Sequence, residues 1–361
     1  MKIAFYGSSL LSSYWNGAAT YYRGLLKALA GHGYDITFYE PDVYDRQKNR
    51  DIDPPDWCKV VVYDGTIEAL KAAASAAGEA DVVVKTSGVG FEDDVLLERV
   101  LAAARASAVT IFWDVDAPAT LAELRAAKDH PLHAALRKVS VVLTYGGGDP
   151  VVEAYRTIGA RDCVPVYNAL DPETHHPVAP DKRFEADLAF LGNRLPDREA
   201  RVEEFFLRPA ARLDSHGFLL GGSGWAGKSM PANVGYLGHV PTSDHNAFNV
   251  TPKAVLNINR ASMAENGFSP PTRVFEAAGA GACLITDTWV GLELFLADGE
   301  EVLVARDGQD VVDLVAGLDS DRAREIGGRA LERVLREHTY ARRADEVDRI
   351  LRRLGASKEA A

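Results

Sequence analysis

Short apolar runs alternate with amphipathic stretches along almost the whole chain. In the first half the runs are Lys2–Tyr6, Asp35–Tyr39, Lys59–Tyr63, Asp81–Lys85, Val109–Trp113 and Val139–Thr144. Most are continuous Val, Ile and Phe segments, the pattern of strands covered by helices on both faces. Helical stretches Ala18–Gly31, Thr66–Gly78 and Asp93–Ala106 lie between them. The pattern then restarts with Asp187–Leu191, Phe218–Leu220, Gly235–Leu237, Ala254–Ile258, Ala282–Thr286 and Glu301–Val304. Arg198–Arg212, Pro270–Ala280 and Gln309–Leu318 are the intervening helices. Strand–helix alternation implies parallel sheets with right-handed crossovers. The expected fold class is α/β, with two doubly wound Rossmann-type domains facing a central cleft where ligands meet the strand C-termini.

Length supports two cores, since 361 residues exceed one ordinary compact unit. The join is expected between Gly146-Gly147-Gly148 and the polar, proline-bearing stretch Asp171–Phe184. The resulting division is a first domain over 1–165, a second over 166–338, and a last helix over 339–361. Val347, Ile350, Leu351 and Leu354 give that helix an apolar stripe with which to pack back on the body.

Composition narrows the class. With 47% hydrophobic and 25% charged residues the chain is of the soluble globular type. No apolar run approaches the roughly 20 residues of a membrane span. The first strand begins at Lys2 without a small-residue cleavage site after it, so no secretory signal is expected. Cys58, Cys163 and Cys283 are odd in number, far apart and beside apolar strands. They read as buried free thiols of a cytoplasmic protein. A net charge of −12 disfavours non-specific binding to nucleic acid or anionic lipid, but leaves room for a local basic pocket. The arginines between Arg322 and Arg353 read as solvated helix faces.

Candidate chemistry concentrates in two loops of the second half. In Asn266–Gly281, Ser269 is a good N-cap and proline suits a first helical turn, so a helix is expected to start at Pro270 or Pro271. Its free N–H groups and dipole favour an anion, for which a diphosphate is the natural candidate. Thr272 adds a hydroxyl and Arg273 follows it; Glu276, a turn further on, suits the vicinal hydroxyls of a ribose. An ordinary capped helix with a surface glutamate explains the spacing equally well. The second loop is Leu191-Gly192-Asn193-Arg194-Leu195-Pro196-Asp197-Arg198. Gly192 permits close backbone approach, while Arg194 and Arg198 offer fixed positive charge. A solvated strand-to-helix turn is the alternative, and it fits Arg198 better than Arg194.

These two segments resemble the donor-binding signatures of GT-B glycosyltransferases. More closely, Leu256–Arg260 through Ser269–Cys283 resembles the CgeB-like, or spore-maturation-type, group. Asn193-Arg194 with Asp197-Arg198, Tyr236–Val240 and Glu337–Tyr340 fit the same group. In the first half only the Gly7 loop, Asn16–Thr20 and Asp114–Pro118 do. The resemblance implies a GT-B fold, with Arg194 and Arg198 on the donor diphosphate and Glu276 on the ribose. Gly192, Asn193, Ser269, Pro271, Thr272 and Arg273 would complete the donor cradle, with His239 near the base. His239 is equally readable as a structural loop residue. Related families carry a sugar-facing glutamate eight positions before the ribose one, and here that position is Phe268.

The acceptor side is thinner. Asp114 and Asp116 end a strand, so their carboxylates are expected to open on the cleft, where either would orient or deprotonate an acceptor hydroxyl. Capping a helix that starts near Ala119 is the other reading. Ser9, Asn16 and Gly17 would wrap the acceptor or the transferred sugar, or simply form a strand-to-helix loop. His175 and His176 read as surface residues.

The leading expectation is transfer of a sugar from a nucleoside diphosphate, UDP among the candidates, to an unknown acceptor. Retention of configuration follows by family analogy. With arginines and a helix terminus for the phosphates, no metal and no cofactor beyond the sugar nucleotide are expected. A sugar-nucleotide epimerase or hydrolase, or a non-catalytic sugar-nucleotide sensor, are the competing functions.

Overall fold

The computed structural model describes residues 1–14 and 16–359 and divides them into two compact units. One comprises Met1–Asn168 with Tyr340–Ala361, the other Ala169–Thr339. Among the described residues no helix is long and apolar enough to cross a membrane. Cys58, Cys163 and Cys283 are free and buried.

The first unit is built on a seven-stranded, all-parallel sheet. Its strands are β1 (Lys2–Tyr6), β2 (Asp35–Asp42), β3 (Lys59–Asp64), β4 (Val82–Thr86), β5 (Val109–Asp114), β6 (Val141–Thr144) and β7 (Cys163–Pro165). They run in the order β3-β2-β1-β4-β5-β6-β7. Continuous apolar runs form these strands because helices cover both faces: β5 and β6 are buried at every position. Strand β7 escapes a pattern search because three residues ending in proline carry no periodicity. The glycines at 146–148 are not part of a linker. Gly147, at φ +98°, precedes the helix Gly148–Thr157, which packs in this unit before β7.

The last helix, Tyr340–Glu359, also belongs to this unit. It buries Val347 and Leu351 and half-buries Ile350 and Leu354. The Tyr340 ring lies so close to the helix Ala19–Gly31 that a Cβ on Gly24 would stand 2.2 Å from it. Tyr340 donates to Asn168 Oδ1 at 2.5 Å and Tyr34 to Asp348 at 2.8 Å.

The second unit carries a six-stranded, all-parallel sheet. Its strands are β8 (Leu188–Leu191), β9 (Phe218–Gly221), β10 (Val234–Gly238), β11 (Ala254–Asn257), β12 (Leu284–Asp287) and β13 (Leu303–Ala305). The order β10-β9-β8-β11-β12-β13 reverses direction between β8 and β11. Outside the carboxyl ends of those two strands lies the crevice in which doubly wound sheets bind ligands. The helical run expected over Arg198–Arg212 begins at Pro196 and contains a π turn, Glu203–Leu207. Pro209 supplies a reason: it has no N–H for the α register, and the wider turn absorbs its ring.

Candidate functional site

The loops at the switch point of the second sheet are stitched together through their backbones. Gly192 N–H donates to Gly221 O at 3.0 Å, Gly222 N–H to Gly238 O at 2.7 Å, and Arg194 N–H to Ser223 O at 2.9 Å. The Asn193 side chain accepts from Ser223 N–H at 2.9 Å, and the Trp225 indole donates to Gly192 O at 2.7 Å. A Cβ on Gly192 would stand 2.9 Å from both Arg198 Nη1 and the Phe190 ring. Glycine is therefore what lets the Arg198 guanidinium lie on this loop.

The two arginines differ in a way the sequence does not anticipate. Arg194 is exposed and its fork is taken by Glu199, with contacts of 2.8 and 2.7 Å. Arg198 is half-buried, and its Nε is buried with no hydrogen-bond partner among the described residues. Burial lowers its pKa, and the like charges of Arg273 and Arg260 lower it further, against Asp197 and Asp287. Arg260 is paired with Asp197 at 2.5 Å. Arg273 is also depressed by burial, and its polar contact is a long 3.5 Å one to Asn249. Three guanidiniums thus converge with a donor unspent, a field that an anion would relieve.

The helix beside them runs Thr272–Ala280, with Pro271 at the N-cap and no side-chain cap. The expected start at Pro270 or Pro271 is thus corrected: Ser269 stands three residues ahead of the first helical residue and does not cap it. The cause is the double proline, because a residue preceding proline is held in extended backbone. Ser269, Pro271, Thr272, Arg273 and Glu276 are all half-buried along this terminus. Val274 N–H donates to Pro271 O at 3.1 Å, whereas the amides of Thr272 and Arg273, at the first two helical positions, have no intrahelical acceptor. His239 is exposed after Gly238, at the end of β10.

Phe268 occupies left-handed backbone, φ +47°, and donates its N–H to Val290 O at 2.6 Å. Its ring packs on Gly291, where a Cβ would lie 2.4 Å from it. An aromatic ring seated against the loop after β12 therefore stands at the sequence position for which the resemblance implies a carboxylate.

Sequence reasoning missed the pillar beneath these loops. Asp287 ends β12 with no exposure; it accepts from Asn259 N–H at 3.2 and 3.1 Å and from Arg201 at 2.5 Å. Burial raises its pKa, opposed by Arg201. Asn257 ties Asn259 and Thr286 together at 3.2 and 3.0 Å. The available signal was two asparagines ending an otherwise apolar strand, a polarity that burial must satisfy.

In the first unit Asp114 does not open on solvent. It is fully buried and accepts from Ser87 at 2.6 Å, Asp116 N–H at 3.0 Å and Thr120 at 3.0 Å, with Tyr155 as a fourth donor. Burial raises its pKa against those bonds. The expectation for Asp114 is corrected: its carboxylate organises the end of β5. Asp116 is exposed and precedes the helix Ala117–Ala126 without capping it, two residues earlier than Ala119. It lines a cavity of about 430 Å³ with Lys85, Ser87, Asp93, Thr120 and His130. Ser9 and Asn16 are buried inside their loop. Ser9 donates to Glu40 at 3.1 Å, and Asn16 donates to Ser9 O and Ser12 O at 2.8 and 3.1 Å. Only Gly17 of the three is exposed. Buried Glu40, which also accepts from Leu10 and Leu11 N–H at 2.5 and 3.3 Å, is the anchor that the sequence hid.

Residues 198–349 match the family described as glycosyl transferase-like. No curated protein matches the sequence. Among solved structures the chain is similar to sucrose-phosphate synthase from Thermosynechococcus elongatus, at 14% identity and a TM-score of 0.69 over 99% of this chain and 100% of that one. Anabaena HepE in complex with UDP gives 14% identity and 0.69 over 97% and 99%. An alpha-glucosyltransferase in complex with UDP-glucose and DNA containing an abasic site gives 10% and 0.70, again over 97% and 99%. The chain thus shares, over nearly its whole length, the two-sheet GT-B fold of these enzymes, and residues 198–349 of its second half carry a glycosyl transferase-like match.

Proposed function

We propose that this protein transfers a sugar from a nucleoside-diphosphate donor, UDP first among the bases, to a hydroxyl or amine acceptor, with retention of configuration. The observation that carries the proposal is Arg198. It is half-buried, with Nε unpartnered, beside Arg273 and Arg260 at the β8–β11 switch point. Those charges and the N-terminus of helix Thr272–Ala280 would stabilise the negative charge that develops on the leaving diphosphate. Chain groups supply that role, so the proposed transfer is metal-independent. Glu276 is assigned to the ribose, Gly192, Asn193, Ser269, Pro271 and Thr272 to the phosphate cradle, and His239 to the base. Arg194 takes a supporting place, since Glu199 holds its charge. Asp116, exposed on its cavity, is the proposed acceptor-side carboxylate.

UDP is favoured because HepE was solved with UDP and the alpha-glucosyltransferase with UDP-glucose. Binding of DNA, with which the latter was also solved, is disfavoured here by the net charge of −12. The CgeB-like subgroup and a cytoplasmic setting remain our readings of the Leu256–Cys283 motif and of the free thiols.

Phe268 favours a second reading, a sugar-nucleotide binder without turnover, because its ring stands where a sugar-facing carboxylate is expected. A thermal-shift screen of UDP, GDP, TDP and CDP, followed by donor-consumption assays with the matching sugar nucleotides, separates the two. Nucleotide binding with donor consumption supports the transferase, and binding without any turnover supports the binder. Binding of none of the four overturns both.

A further inference from the structure

We propose that His175, His245 and Glu276 form a site for a transition-metal cation of the zinc or nickel type, and that its occupant excludes the sugar nucleotide. One ligand atom from each side chain lies within 4.8 Å of the other two, and all three residues are half-buried. The set is two imidazoles and a carboxylate, a donor combination that suits zinc with a position left open.

Three separate elements supply the ligands, and contacts that do not involve the ligand atoms hold those elements together. His245 is the first residue of the helix His245–Val250. The next residue, Asn246, donates to Thr174 O at 3.0 Å, which fastens this helix to the turn carrying His175. That turn is closed by Thr174 and His175 N–H bonds to Asp171 O, at 3.2 and 3.0 Å. It is seated on the Glu276 helix: a Cβ on Gly279 would lie 3.2 Å from His175 O and 2.3 Å from Leu170. The scaffold is therefore assembled before any ion arrives.

The hydrogen bonds around the imidazoles also leave a lone pair on each. His245 Nε2 faces Val240 O at 3.3 Å, which can only accept, so Nε2 carries the proton and Nδ1 is the ligand nitrogen. Thr174 Oγ1 donates to Asp171 O at 3.1 Å, so toward His175 Nδ1, 3.0 Å away, it accepts. His175 then holds its proton on Nδ1 and offers Nε2. A second-sphere oxygen on the other ring nitrogen is the arrangement metal-binding histidines use.

Ion–ligand bonds of about 2.0–2.1 Å need ligand atoms roughly 3.4 Å apart, so each side chain moves by about 1 Å to close the site. The positive charge of Arg273, three residues before Glu276 on the same helix, repels any cation. That cost selects ions that bond strongly to imidazole and leaves magnesium and calcium, which need several oxygen ligands, outside. Exclusion of the donor rests on the assignment of Glu276 to the ribose: a carboxylate bound to metal is no longer free for the hydroxyls.

The experiment is calorimetry of the metal-free full chain with Zn2+, and separately with Mg2+, in the presence and absence of UDP. The expected result is one Zn2+ per chain, no Mg2+ heat, and an apparent Zn2+ affinity that falls as UDP is raised. His175→Ala and His245→Gln should each weaken Zn2+ by at least about 10–100-fold, the loss that an outer-sphere partner alone produces. The His175→Ala chain should still bind UDP, which also shows that it is folded. Absence of stoichiometric Zn2+ binding, or binding that both replacements leave intact, overturns the site. Zn2+ and UDP bound together overturn the exclusion. Zn2+ binding by a chain that binds no UDP would uphold the metal site while removing the donor assignment.

Discussion

Replacing Arg198 with alanine separates a donor-binding role from a structural one. In the free protein its guanidinium is a liability: burial and the neighbouring Arg273 and Arg260 oppose its charge, and its Nε is unpaired. Truncation removes that repulsion along with the packing of the guanidinium over Gly192. The apo melting temperature should therefore move by no more than about 2–4 °C, the shift of roughly 1 kcal/mol in a domain of this size. Affinity should respond very differently. A hydrogen bond to a charged group contributes about 1.5–3 kcal/mol. At 1.4 kcal/mol per decade, its loss weakens UDP binding roughly 10- to 150-fold. Arg194→Ala is the internal control. Its charge is spent on Glu199 at the surface, where a pair contributes about 0–1 kcal/mol, so affinity should change by about fivefold or less. Isothermal titration of the three chains with UDP, alongside their apo melting curves, gives both quantities. Unchanged affinity in Arg198→Ala, or a loss in Arg194→Ala as large as in Arg198→Ala, refutes the reasoning.

Three further outcomes follow from the packing. Asp114→Asn sets an amide donor against four donors in a fully buried site, so chemical denaturation should show a loss of about 2–4 kcal/mol with UDP affinity retained. Gly24→Ala places a methyl 2.2 Å from the Tyr340 ring and should cost about 1–3 kcal/mol, which Tyr340→Ala in the same chain partly restores. Acid titration of stability reports on Asp51. Burial raises its pKa, but bonds from Arg23 and Ser13 outweigh that and hold it at about 2. The unfolded chain binds the proton more readily, so this stability is complete above pH ~4 and is lost as pH falls toward ~2. Because the pair is partly exposed, the component is about 1 kcal/mol, and Asp51→Asn should remove it from the pH profile.

The sheets were legible because parallel strands are buried on both faces and so announce themselves as unbroken apolar runs, as Val82–Val84 and Val141–Leu143 do. Short β7 was not, since three residues carry no full period of pattern, and the helix Gly148–Thr157 was hidden by the glycine run that opens it. In the candidate site the loops themselves were legible, because Gly192 and the double proline are backbone signals tied to position. The division of labour within them was not. Whether an arginine is free or spent depends on a partner such as Glu199 or Asp197, which spacing leaves open. Asp114 misled for a related reason: a carboxylate at a strand end looks the same whether it faces solvent or four buried donors. His175 read as surface because the helix that brings Glu276 to it lies a hundred residues further along.

The most direct test of the central claim is a crystal structure of the full chain with UDP. The account predicts the nucleotide outside the ends of β8 and β11, with diphosphate oxygens within hydrogen-bond reach of Arg198 and the first-turn amides of helix Thr272–Ala280. The ribose hydroxyls should lie on Glu276. UDP bound elsewhere, or bound there without touching Arg198 or that helix terminus, would contradict it.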